Sequence, residues 1–225
     1  EFLLKKKFFY TGFQRCGTKS FKNIINQNGC TTVSWRECDK NSWGKKVIEG
    51  KFNEIINSKD FDKSDYYEDF PYHDLNFIKF LAKKFINSRF IHVERNPIEW
   101  FESMVSHSGG VTLGGEDSYV HSCYYKRLDT WQYLKDKLNR PPKRIPIITD
   151  KNHYLQFYIK ENLKIKNFFK KELSTDRFII LRLDDESIYS KICKFLNFPN
   201  TSPKSFHKSN KNLDIEKINK NFIFM

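Results

Sequence analysis

Two segments of this 225-residue chain repeat one local plan: an apolar run, a short loop, then a helix start. The first is Lys7–Ser20, KFFYTGFQRCGTKS, in which Phe8–Thr11 reads as a buried strand bounded by Gly12. The second is Arg89–Ser103, RFIHVERNPIEWFES, a strand over 89–94 followed by Arg-Asn-Pro. Pro97 falls where the first turn of a helix tolerates proline, since that N–H has no intrahelical partner. Continuously apolar strands alternating with helices point to a parallel sheet covered on both faces. Both junctions then belong to one edge of that sheet.

The remaining chain fits this plan. The first helix runs from about Thr18 to Gln27 and stops at Asn28-Gly29, where glycine enters the left-handed conformation without strain. Residues 30–64 are polar and irregular, which predicts a loop with one short helix near 51–57. A second strand is expected over 65–70, closed by Pro71, and Leu75, Ile78, Ala82 and Phe85 then recur at helical spacing. SGGVTLGGEDS at 108–118 reads as a surface loop or as a lid over a site. Helices are expected over 120–138, ended by Pro141-Pro142, and over 153–173. FIILRL at 178–183 is the clearest buried strand, and Ile188, Ile192, Phe195 and Leu196 make a final amphipathic helix before Pro199. The expected fold is α/β, a single domain over residues 1–225 with a central parallel sheet and helices on both faces, like that of P-loop nucleotide kinases.

Composition narrows the partners. The formal charge of +13 favours anionic ligands, yet the basic residues are scattered, with no arginine-rich arm, so a dedicated nucleic-acid binder is not expected. The 22 Phe and 11 Tyr can fill a core despite 39% hydrophobic content. The five cysteines, Cys16, Cys30, Cys38, Cys123 and Cys193, form no C-x-x-C pair, so neither a zinc site nor a disulfide framework is indicated. No apolar run approaches the ~20 residues that span a bilayer. The cytoplasm is the default location; a lumenal catalytic domain with its anchor removed is the alternative, because the chain begins at Glu1.

Both junctions suit a phosphate. In the first, Gly12 and Gly17 are spaced as in a P-loop, but Thr18 occupies the lysine position and Lys19-Ser20 follow one place late. A strand–loop–helix unit aims backbone N–H groups and the positive end of the helix dipole at one spot. Arg15 adds a fixed charge there, and the Thr18 and Ser20 hydroxyls add donors. In the second, Arg95 ends a strand and Ser103 follows eight residues later, two turns into the helix, so the two can share one anion. Two phosphate sites on one sheet suggest a nucleotide with phosphates at both ends.

These residues resemble the sulfotransferases that use 3′-phosphoadenylyl sulfate. QRCGTKS, with Arg15, Cys16, Gly17, Thr18, Lys19 and Ser20, looks like their 5′-phosphosulfate loop. RNPIEWFES, with Arg95 and Ser103, looks like their 3′-phosphate motif. SKICKFLNFP is similar to their C-terminal helix–turn–proline segment, which implies a basic cofactor loop at SFHKSN with Lys208 as the contact. The resemblance implies in-line transfer of a sulfuryl group to a hydroxyl or amine of a small-molecule or glycan acceptor, with adenosine 3′,5′-bisphosphate leaving and no metal needed. Arg15 stands where many members carry lysine; it can stabilise charge on the leaving phosphate but cannot donate a proton.

A base must accept the acceptor's proton. EDFPYHD resembles the D-x-P segment of a subgroup, which implies Asp69, with His73 and Glu68 as alternatives. Asp69 is preferred for its place at a strand's C-terminal edge. His92 reads as structural, and His107 and His121 flank the glycine-rich stretch. Two other readings stand beside this one: a P-loop nucleotide or small-molecule kinase, and a non-enzymatic basic module for nucleic acid or glycans.

Overall fold

The computed structural model describes residues 7–69, 71–107, 136, 139 and 151–199. Strands β1 (Phe8–Tyr10), β2 (Thr32–Val33), β3 (Tyr66–Tyr67), β4 (Arg89–Glu94) and β5 (Phe178–Arg182) form one sheet in the order β2-β3-β1-β4-β5. Every pairing is parallel. The chain leaves β1 toward β2 and crosses from β3 to β4 on the far side of β1. The crevice beyond the ends of β1 and β4 is therefore the topological switch point, where open α/β sheets take their ligands.

The described residues fall into two compact units, one running to Arg95 and resuming at Asn162, the other from Asn96 to Glu161. The first holds the sheet with α1 (Thr18–Gln27), α2 (Trp35–Lys40), α3 (Trp43–Ile48), α4 (Phe52–Ile56), α5 (Lys59–Asp62) and α6 (Leu75–Lys84). Alternation along β1 covers both faces. Phe9 stacks on Tyr67 and Phe90 at ring separations of 5.0 and 5.4 Å, within a core that includes Trp43, Phe61 and Phe77. Tyr10 points the other way and meets Phe21 of α1 edge-on at 5.0 Å. Each fully buried ring of this kind contributes about 2–3 kcal/mol by removing apolar surface from water.

The entrance to β1 is fixed by an unusual buried charge. Lys7 is 1% exposed. Its Nζ donates to the carbonyls of Ser64 at 2.8 Å and Phe61 at 3.2 Å and to the Tyr67 hydroxyl. It also lies 4.9 Å from the Phe61 and Tyr67 ring centres, so hydrogen bonds and ring faces together replace its lost hydration.

The second unit contains α7 (Pro97–His107) and the first half of α8 (Lys151–Glu172). Trp100 stacks on Tyr158 at 4.2 Å, Phe101 on Tyr154 at 5.8 Å, and Lys151 reaches Glu102 at 3.5 Å. The remainder of α8 and α9 (Ile188–Leu196) belong to the first unit.

Three expectations require correction. Residues 30–64 are not mainly loop: they hold β2 and α2 to α5, and the expected short helix is α4. The overlooked signal is Ser34-Trp35-Arg36-Glu37, a capping box whose Glu37 carboxylate accepts from the Ser34 N–H at 2.8 Å. The strand expected over 65–70 is only Tyr66–Tyr67. β5 is not fully buried: Phe178, Ile179 and Ile180 are half-buried and Arg182 is exposed, because among the described residues β5 pairs only with β4. The helix expected over 120–138, the glycine-rich stretch and the Pro141-Pro142 stop lie outside the described residues, apart from Asp136 in helical conformation.

Candidate active site

The first loop leaves β1 through Gly12, where a Cβ atom would stand 2.7 Å from the Val93 carbonyl and 2.8 Å from the Tyr10 hydroxyl. Only glycine lets the loop depart so close to β4. The loop then makes a compact turn in which the Cys16 N–H donates to the Phe13 carbonyl at 3.3 Å. The Tyr10 hydroxyl clamps it from below, donating to the Cys16 carbonyl at 2.6 Å. Two residues of this turn take the left-handed conformation, Arg15 at φ 66° and Gly17 at φ 94°. A non-glycine residue held at positive φ stores strain, a cost typical of functional loops.

Gly17 is the N-cap of α1, and no side chain caps that helix. Elsewhere Ser58 and Asp74 cap α5 and α6 with their own oxygens. The first turn of α1 holds no acidic residue either, so its orphan N–H groups and positive dipole end face the loop uncompensated. Cys16 is fully buried, and its N–H and carbonyl are both engaged within the loop. Lys19 is exposed, while Gly17, Thr18 and Ser20 are half-buried.

Arg95 meets this loop. It directly follows β4, and its Nη1 donates to the Arg15 carbonyl at 3.4 Å. Burial and then the charge of Arg95 pull the Arg15 guanidinium below its ordinary pKa, while Asp69 opposes that shift. Two guanidinium groups thus share the switch-point crevice of the first unit, an arrangement that a bound anion relieves. Beside Arg95, the Glu94 carboxylate is held by Lys166 at 2.9 Å.

The R-N-P motif has a second structural use. The Asn96 Oδ1 accepts from the N–H groups of Ile98 at 3.0 Å and Glu99 at 3.4 Å, which caps α7. An asparagine directly before a proline at N1 is the sequence signal for this cap. Ser103 is on α7 and 7% exposed.

The candidate bases lie after β3. Asp69 is held at φ 70°, so non-glycine residues beyond both β1 and β3 are left-handed, and the Asp69 charge acts on Arg15. Glu68 is 5% exposed, and burial, then the Asp69 charge, raise its pKa to about 8. His73 is fully buried, with its ring 4.7 Å from that of Phe13 in the first loop. His92 is structural as expected, fully buried with Nδ1 3.2 Å from the Thr11 hydroxyl. Lys208 and His121 lie outside the described residues. No group of His, Cys, Asp or Glu fit to hold a metal occurs among the described residues, and the described cysteines Cys16, Cys30, Cys38 and Cys193 are free thiols. No described helix is long and apolar enough to cross a membrane.

Parallel strands and a strained loop at the switch point define an open-sheet α/β protein. A family model described as sulfotransferase domain matches residues 7–215. The chain belongs to that family. The crystal structure of a sulfotransferase from Alicyclobacillus acidocaldarius is 12% identical, covers 97% of this chain and 91% of its own, and superposes with a TM-score of 0.50. A sulfotransferase domain from the curacin biosynthetic pathway is also 12% identical, with 88% and 76% covered at a TM-score of 0.49. At such identity the Alicyclobacillus protein bears on the fold alone. No curated protein matches the chain.

Proposed function

We propose that this chain moves a sulfuryl group from 3′-phosphoadenylyl sulfate to a hydroxyl or amine of a small-molecule or glycan acceptor. The observation that carries the reading is the meeting of Arg15 and Arg95 at the switch point, beside a helix start that no side chain caps. An anion with charge at two ends suits such a crevice, and the family's chemistry uses such a donor.

In this reading the loop from Arg15 to Ser20 receives the phosphosulfate end. The amides of Gly17, Thr18 and Lys19 and the hydroxyls of Thr18 and Ser20 donate to its oxygens. Arg95 takes the 3′-phosphate, and the sequence motif adds Ser103 and, further on, Lys208 to the nucleotide contacts. The acceptor attacks sulfur in line; the new bond to sulfur forms as the sulfur–oxygen bond to the leaving phosphate breaks. Arg15 stabilises charge gathering on that oxygen, an electrostatic contribution of about 3–4 kcal/mol when one such donor is removed from comparable sites. Asp69, whose charge acts on Arg15, takes the acceptor's proton, and His73 supports the loop through Phe13.

Incubation with radiolabelled 3′-phosphoadenylyl sulfate and a panel of phenols, alcohols, amines and sugars tests the proposal. Label transferred to an acceptor, dependent on Arg15, is the supporting result; donor binding without transfer to any acceptor class contradicts it.

A further inference from the structure

A second carboxyl group stands beside Asp69 and has no use in the scheme above. Continuing the register in which Phe8 pairs with Tyr66 and Phe9 with Tyr67 sets Glu68 alongside Tyr10. Alternation then puts Glu68 on the face of the sheet that Tyr10 shares with α1, next to the residue whose hydroxyl clamps the donor loop. The Glu68 N–H donates to the Val33 carbonyl at 3.4 Å, which fixes the backbone of this strand end. Its Oε2 is buried with no hydrogen-bond partner among the described residues. Burial of an oxygen that no donor reaches disfavours the charged form of the group.

We propose that Glu68 stores a proton beside Asp69, so that the carboxyl pair at the rim of the donor loop carries one negative charge rather than two while an anionic donor is bound. The inference rests on the sulfuryl-transfer reading for the identity of that donor.

The charges facing Glu68 agree. On its own segment Asp69 acts against ionisation, and from α2 so does Glu37, whose carboxylate is engaged with Ser34; Lys22 on α1 acts the other way and is outweighed. The neighbouring Tyr66 hydroxyl and the Cys38 thiol are both pushed up by burial and by the same pair of carboxyls. The outcome is a pKa of about 8 at Glu68, so the stored proton is present at neutral pH and leaves in mild alkali. Once it leaves, a second negative charge sits close to the donor's phosphates. A unit charge at such range weakens a multiply charged ligand about three- to tenfold.

The test combines infrared spectroscopy with calorimetry between pH 7 and 9. The expected infrared result is a protonated-carboxyl band at pH 7 that fades by pH 9 and is missing in Glu68→Gln. The expected calorimetric result is adenosine 3′,5′-bisphosphate affinity that falls several-fold over this range in the native protein and stays level in Glu68→Gln. Identical infrared spectra for the two proteins at pH 7, or an equal alkaline loss of affinity in both, overturns the inference. If the bisphosphate binds at no pH, the donor reading fails, and the band alone decides whether the proton is stored. Should Glu68→Gln not fold, the pH 7 to 9 difference spectrum of the native protein decides it in the same way.

Discussion

Arg95 hands a hydrogen bond from Nη1 to the backbone carbonyl of Arg15 at 3.4 Å, tying the end of β4 to the strained turn after β1. That contact makes one site out of two motifs that are 80 residues apart in the chain. It also brings the Arg95 charge to bear on the Arg15 guanidinium, a repulsion that the Asp69 charge partly offsets.

The spacing of β1 and β4 depends on Gly12. With the nearest backbone oxygen 2.7 Å from an added Cβ, Gly12→Ala forces the strands or the Tyr10 hydroxyl to move. The expected loss is about 1–3 kcal/mol, measured by urea denaturation, with weaker ligand binding because Tyr10 leaves the Cys16 carbonyl. An unchanged midpoint refutes this account of the glycine.

Lys7 tests packing apart from function. Lys7→Ala removes the donor to two carbonyls and opens a cavity under β1, for an expected loss of about 2–4 kcal/mol. Lys7→Met loses less, because its chain fills the space and the Tyr67 hydroxyl still reaches the Phe61 and Ser64 carbonyls. Thermal melts give the ranking, and equal losses for the two variants contradict it.

His92 governs part of the acid stability. Burial holds its pKa near 4, against an ordinary 6.5, so the folded protein keeps the ring neutral. Below pH 6.5 the unfolded chain binds a proton that the folded one refuses, so stability is lost as pH falls from 6.5 toward 4. The loss amounts to about 3 kcal/mol from this residue. Melting temperatures at pH 7 and pH 4.5 should fall further for the native protein than for His92→Gln, and equal falls contradict the assignment.

Asp69→Asn keeps the shape of the strand end and removes the proposed base. Turnover is expected to fall about 10²- to 10⁴-fold with adenosine 3′,5′-bisphosphate affinity little changed. Unchanged turnover passes the role to another group.

Much of this site was legible in the sequence because its parts are local. Phe8–Tyr10, Arg89–Glu94 and the helix from Thr18 to Gln27 follow from runs of apolar residues and from glycine and proline at fixed places. Short elements escaped: β2 has two residues and α5 has four, too few for a period to register. The exposure of β5 depends on which strands sit beside it, which no local pattern encodes. The same holds for Glu68, whose proton is set by Asp69, Glu37 and Lys22 brought together from three elements. The burial of His73 against Phe13 is likewise a tertiary contact, outside the reach of local pattern.

The most direct measurement is calorimetric titration of adenosine 3′,5′-bisphosphate into the native protein and into Arg95→Ala. The account predicts saturable binding by the first and a loss of at least about a hundredfold in the second, the value of a charge-assisted bidentate contact. Absence of binding by the native protein, or equal affinity in the two, contradicts the claim that Arg95 and the Arg15 loop grip one nucleotide.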